Sequence, residues 1–174
     1  MAEGGTELQC GGLTARLEAN VPAVALRYFS SAGALGDAAR AAGAPLPPSQ
    51  RAQNAGADLV LAWRSPSETL CLARSAQRLA ELQQALADAS DGCCVELTGA
   101  LSVVHLSGER IADLLARLGG NALLPPLGGA HRGRMADVPV LTVCLRRGQV
   151  LLVIERVYAE HLWSWIRETL LDFA

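Results

Sequence analysis

The stretch Val95–Leu118, VELTGALSVVHLSGERIADLLARL, holds two apolar runs, a glycine-bearing turn and an amphipathic segment. "CCVELT" and "LSVVHLS" read as strands about a Gly99–Ala100 turn. From about Glu109, Ile111, Leu114, Leu115 and Leu118 recur at helical spacing and predict one apolar face. Strand, glycine turn, helix is also the layout of many phosphate sites. A dinucleotide fingerprint, however, needs G-x-G-x-x-G in the turn so that backbone can approach a pyrophosphate. "LSGER" offers Gly108 alone, with Glu109 where an anion would sit and Ser107 suited to cap the helix. The reading is a structural corner.

The same rhythm continues on both sides. "DLVLAW" and "ETLCLA" flank the "RSPS" turn as a hairpin, and Ser75 can cap a helix to about Ala89 with Leu79, Leu82 and Leu86 on one face. "MADVPVLTVCL" and "QVLLVIE" form another hairpin across "RRG", followed by a helix from about Val157 to Leu171. On that helix Leu162, Trp165, Ile166, Thr169 and Leu170 give the core face and Trp163 widens it. A strand–strand–helix unit therefore recurs at 58–89, 93–118 and 138–172. The fold class expected is α+β, a mostly antiparallel sheet with helices on one face. The hairpins are too tight for parallel crossovers, which need a dozen or more residues. Upstream, "VPAVALRYF" reads as a strand, "GALGDAARAAGA" is helix-permissive, and "PLPPSQRAQNAG" and "GGNALLPPLGGAHRGR" read as loops. Residues 1–12 read as a flexible tail.

At 174 residues the chain is most simply one domain, 1–174. A hydrophobic fraction of 51% with only 18% charged residues fits a globular chain. The net charge of −2 lacks the basic surplus of a nucleic-acid binder. All 15 basic residues are Arg, which excludes a Schiff-base lysine and a P-loop lysine. No apolar run reaches the 18–20 or so residues that span a bilayer, and the N-terminus has no basic and apolar leader pattern. Cys10, Cys71, Cys93, Cys94 and Cys144 form no Cys-x-x-Cys and share no zinc-like spacing with a histidine. These features predict no membrane association and a reducing cytoplasm.

Two sets of residues stand out as candidates. His131, Arg132 and Arg134 in "AHRGR" suit a small anion, a partner's carboxylates or solvent. Trp163 and Trp165 lie on different sides of the last helix and cannot both face one sheet, so either one of them packs against another chain or both are buried at a wide helix–sheet seam. Trp163, with Arg156, Tyr158 and His161 of the 151–166 motif, is a candidate for a subunit interface. No Ser, His and Asp fall together, and no catalytic, cofactor or metal residues are expected.

The residues of the C-terminal third resemble the gamma subunit of heterotetrameric sarcosine oxidase. "LLVIERVYAEHLWSWI" (151–166) is similar to that family's strand followed by Arg, an aromatic, Ala-Glu, an aromatic and Leu-Trp-x-Trp, here Arg156, Tyr158, Ala159, Glu160, His161, Leu162, Trp163 and Trp165. "WRSPSETLCL" resembles its Trp-x-x-Pro-x-Glu-x-Leu hairpin through Trp63, Pro66, Glu68 and Leu70. "VELTGALSVVHLSGERIADLLARL" and "MADVPVLTV" resemble its central segment and the strand after its Pro/Gly loop. The resemblance covers roughly residues 58–172. Thr69 stands where an aromatic is common, Glu155 where Pro is expected and Glu109 where Pro is frequent.

The family is related to the folate-binding domain of the glycine-cleavage aminomethyltransferase. The resemblance implies a non-catalytic subunit of a complex that oxidatively demethylates sarcosine to glycine, passing the one-carbon unit to tetrahydrofolate and electrons to oxygen. Flavins, NAD and tetrahydrofolate would belong to larger alpha and beta subunits and none to this chain. The alternatives are a free-standing folate-binding or aminomethyltransferase-like protein, and a structural domain forming a homo-oligomer. The Lys-Gly-Cys motif of related folate-binding proteins is not found in the sequence.

Overall fold

The hairpin expected around "RSPS" forms, with Leu59 opposite Ala73 and Leu61 opposite Cys71. It lies in a computed structural model that describes residues 7–119 and 124–174. In chain order the strands are β1 (Glu7–Cys10), β2 (Leu13–Ala19), β3 (Ala23–Tyr28), β4 (Ala52–Ala55), β5 (Leu59–Ser65), β6 (Glu68–Ala73), β7 (Gly92–Glu96), β8 (Leu101–Ser107), β9 (Gly129–Met135), β10 (Val138–Arg146) and β11 (Gln149–Glu155). The helices are α1 (Ala34–Ala41), α2 (Ala76–Ala85), α3 (Ile111–Arg117) and α4 (Ala159–Leu171), the last entered through a 3-10 turn at Arg156–Tyr158. The class is α+β, as expected, and every strand pairing is antiparallel.

The chain divides into two compact units, one of residues 21–99 and one of residues 100–174 with the N-terminal residues up to Asn20. In the first, the sheet order is β4-β5-β6-β3-β7. The path β3-α1-β4-β5-β6-α2-β7 is a split βαβ with one extra strand. Alternate residues of the sheet (Val24, Leu26, Leu59, Leu61 and Cys71) pack with Leu35 of α1 and Leu79 and Leu82 of α2. Ser75 caps α2 as expected, its Oγ accepting from the Arg78 amide at 3.2 Å. The second unit has the order β1-β2-β8-β11-β10-β9. Its path β8-α3-β9-β10-β11-α4 repeats the same plan, and β2 occupies the place that β7 fills in the first unit. Leu106, Val140, Leu152 and Ile154 of the sheet pack with Leu114 and Leu115 of α3 and with Leu162 and Ile166 of α4.

The repeated element is thus a β-α-β-β-β-α run present twice, rather than three strand–strand–helix units. The difference arises at the opening stretch. β7 and β8 are consecutive about Gly99 but do not form a hairpin. β7 pairs with β3, whereas β8 lies between β2 and β11. A seven-residue apolar strand gains more by pairing along both edges than by one short hairpin, and pairing preference is set by such neighbours rather than by the turn alone.

Three further expectations change. The "AHRGR" segment belongs to β9, paired with β10 over all seven residues, because ladder pairing overrides the weak strand propensity of Gly129 and Gly133. Residues 120–123 of the expected loop lie outside the described residues. Of the expected N-terminal tail, residues 1–6 also lie outside them, and Glu7–Cys10 pair with β2 as β1. Ser107 closes β8 instead of capping α3, which begins at Ile111 after Arg110 with no side-chain cap.

Thr142, in the middle of β10, is fully buried and its hydroxyl has no hydrogen-bond partner among the described residues. It lies on the same face as Val140 and Cys144, inside the apolar layer under the helices. An unpaired buried hydroxyl costs free energy that a methyl of the same shape does not. Thr142→Val is therefore expected to raise stability by about 1 kcal/mol, read as a shifted urea midpoint at unchanged slope. A loss of stability would show that the hydroxyl has a partner.

Candidate functional site

His131, Arg132 and Arg134, singled out in the sequence, sit at the edge of the second unit. On β9 the strand alternation places His131 on the helix-covered face, opposite Thr142, and Arg132 and Arg134 on the other. The three therefore do not converge as one anion cradle. β9 and β10 are joined by Ala136 and Asp137, both at positive φ (46° and 62°), the pattern of a two-residue hairpin turn whose twist matches the strands. That turn is pinned from three sides. The Ala136 amide donates to the Leu118 carbonyl at 2.9 Å, the Ala136 carbonyl accepts from His161 Nε2 at 3.1 Å, and Arg134 Nη2 donates to the Asp137 carbonyl.

Around this turn lies a groove of about 510 Å³ whose walls include Arg117, Arg134, Asp137, His161 and Trp165. Arg117 Nη1 is bound to Asp172 at 2.6 Å and its guanidinium lies 5.0 Å from the Phe173 ring centre. Trp165 is 49% exposed, and its ring meets His161 edge-on with centroids 6.5 Å apart. The structure thereby brings His161 and Arg134, drawn from the two separate candidate sets, to one place.

The α4 face needs correction. Trp163 is buried (9% exposed) and Trp165 is the exposed tryptophan. At about 100° per residue, the buried positions Ala159, Leu162, Trp163, Ile166 and Leu170 fill a sector whose middle lies about 50° from Trp163 and about 110° from Trp165. Centring the face on Leu162, Thr169 and Trp165 had rotated it. Arg156 and Tyr158 lie on the exposed 3-10 turn with Val157, which is 79% exposed. Tyr158, His161 and Trp165 follow at spacings of three and four residues along one outer side.

A second cluster was missed. His105 on β8 is opposite Arg16 on β2, and Glu18 Oε2 lies 2.8 Å from His105 Nε2 and 3.0 Å from Arg16 Nη2. Burial and the Arg16 charge hold the imidazole below its ordinary pKa, against the pull of Glu18. The neutral ring then donates to the carboxylate. Only the alternation of Arg16 and Glu18 is visible in the sequence, since the histidine is 87 residues away.

In the first unit, Glu68 joins Arg27 at 2.9 Å and Arg64 at 2.8 Å beside a hollow of about 760 Å³ lined also by Tyr28, Asp91 and Cys93. Phe29 at its rim is 94% exposed. Burial pushes the Cys71 thiol up to about 12 and raises Cys94 and Cys144 as well, the reverse of what an activated thiolate needs. Among the described residues, the bonded histidines pair with a carboxylate or a carbonyl, not with a Ser or Cys, and no group of His, Cys, Asp and Glu is arranged to hold a metal ion. No described helix is long and apolar enough to cross a membrane.

No family model matches the sequence, and no curated protein matches it by sequence. Among solved structures, the chain is similar to one of the heterotetrameric sarcosine oxidase from Corynebacterium sp. U-96 in complex with pyrrole 2-carboxylate. The identity is 21%, the match covers 96% of this chain and 88% of that one, and the TM-score is 0.80. It is also similar to the glycine cleavage system aminomethyltransferase T from Bartonella henselae (14% identity, 94% of this chain, TM-score 0.64), of which it spans 53%. The regulatory subunit of aspartate kinase from Thermus thermophilus matches at 11% identity over 94% of this chain and 99% of that one, with a TM-score of 0.51. At these identities the likeness is one of fold.

Proposed function

We propose that this chain is a cytoplasmic, non-catalytic, gamma-type subunit of a heterotetrameric sarcosine oxidase, docked onto larger alpha and beta subunits. The observation that carries this reading is the likeness to a chain of such an oxidase over nearly the whole of both chains. The motifs at 63–72 and 151–166 support it. So does the surface, where Val157 and Tyr158 on the 3-10 turn and Trp165 and Leu171 on α4 are exposed. Flavins, NAD and tetrahydrofolate would be bound by the partners, and the complex would demethylate sarcosine to glycine. Co-expression with tagged flavin-bearing subunits tests this. The chain is expected to co-purify in stoichiometric amount, and a chain that stays free in their presence would sink the reading.

The aminomethyltransferase likeness favours a second reading, a free-standing folate-binding protein. A thermal-shift titration of the chain expressed alone separates the two. A folate binder gains about 2.7 kcal/mol at 100 times the dissociation constant of tetrahydrofolate. The subunit reading expects no shift.

A further inference from the structure

We propose that the free edge of β9 receives an extended, acidic segment of a partner subunit as a seventh strand, its end reaching the groove beside Trp165. This rests on the subunit reading and names the docking surface within it. β9 ends the six-stranded order, so alternate amides and carbonyls along seven residues turn away from β10 with no strand to meet them among the described residues. Strand addition to such an edge supplies main-chain hydrogen bonds, and side chains then decide which segment fits.

The chemistry of the segment follows from the charges. β9, GAHRGRM, carries two arginines and no acidic residue. Arg132 and Arg134 are both exposed, on one face, and none of the ion pairs among the described residues includes either. Arg134 spends one nitrogen on the Asp137 carbonyl and keeps further donors for a carboxylate. Residues two apart on an added strand would present their carboxylates to both guanidiniums.

The groove at the turn continues this edge through Arg134. Asp137 also lines it and Asp172 neutralises Arg117, so the groove itself is not strongly basic and its character is set by Trp165. That ring is half exposed yet braced by His161, which the Ala136 carbonyl fixes in turn. A pre-ordered tryptophan loses little freedom on contact and suits an apolar side chain at the end of the incoming strand.

The test uses the co-expressed complex. Three chains are compared for retention on tagged flavin-bearing subunits: the wild type, Trp165→Ala, and Arg132→Glu combined with Arg134→Gln. Each variant is expected to retain about tenfold less than wild type, the charge variant more sensitively at low salt. Arg51→Glu, an exposed position in the other unit, is expected to bind as wild type. Hydrogen exchange of the complex provides a readout independent of variant folding, with the outward amides of Ala130, Arg132 and Arg134 expected to slow on assembly. Retention within twofold of wild type by both variants, or unchanged β9 exchange in a complex that does form, would overturn the edge site and leave the subunit reading standing. Failure of the wild type to co-purify removes both.

Discussion

A Gly108→Ala chain is expected to lose about 3 kcal/mol of stability, making that turn residue one of the most sensitive glycines in the fold. Gly108 has φ +134°, a backbone conformation that residues with a Cβ rarely adopt. The space is also filled. A Cβ there would overlap the Gly12 carbonyl oxygen and stand 3.1 Å from Leu13 Cα. The Gly108 amide donates to the Gly148 carbonyl at 3.0 Å, so the backbone cannot turn without releasing the end of β8 from the β10–β11 hairpin. Strain and overlap each cost about 1–3 kcal/mol. For a chain of this length the melting temperature should fall by roughly 6–12 °C. A change under about 1 kcal/mol would mean that the corner relaxes freely. This is the structural role that "LSGER" plays in place of a ligand turn.

Leu152→Ala is expected to cost about 3–4 kcal/mol. Leu152 is fully buried at the centre of the six-stranded sheet, between Val104 on β8 and Thr142 on β10. Its side chain belongs to the apolar cluster that includes Leu114, Leu162 and Ile166, so truncation removes contacts on several elements at once. A central strand flanked on both edges has little room to collapse into the space. Leu171→Ala, at a position 70% exposed on α4, is the control and should stay within about 0.5 kcal/mol. Equal losses at the two positions would contradict the placement of the core.

What the sequence disclosed was local. The β5–β6 and β10–β11 hairpins and the Ser75-capped helix each depend on residues within a few positions of one another. Both hairpins form where expected, and the helix begins after Ser75 as expected but ends at Ala85 rather than near Ala89. What it did not disclose depends on distant partners. β8 pairs with β2, more than eighty residues earlier, and nothing in "VELTGALSVV" marks that choice over a hairpin with β7. β9 is a strand because β10 lies beside it, although its own composition is that of a loop. The candidate site followed the same division. His131, Arg132 and Arg134 are neighbours in sequence, but strand alternation separates the histidine from the arginines. Arg134 and His161 line one groove only because each bonds a carbonyl of the Ala136–Asp137 turn, which is folded against α4. Trp163 and Trp165 lie on different sides of α4 as expected, but the buried one is Trp163, because taking Thr169 and Trp165 into the face turns its centre away from the sector that Ala159, Leu162, Trp163, Ile166 and Leu170 fill.

The proposed role is assembly with larger, flavin-bearing subunits. Native mass spectrometry of the co-expressed proteins tests it most directly. One species is expected, in which this chain is present in equal number with each larger subunit and their flavin is retained. A spectrum containing the assembled larger subunits with this chain entirely as a free monomer would contradict it.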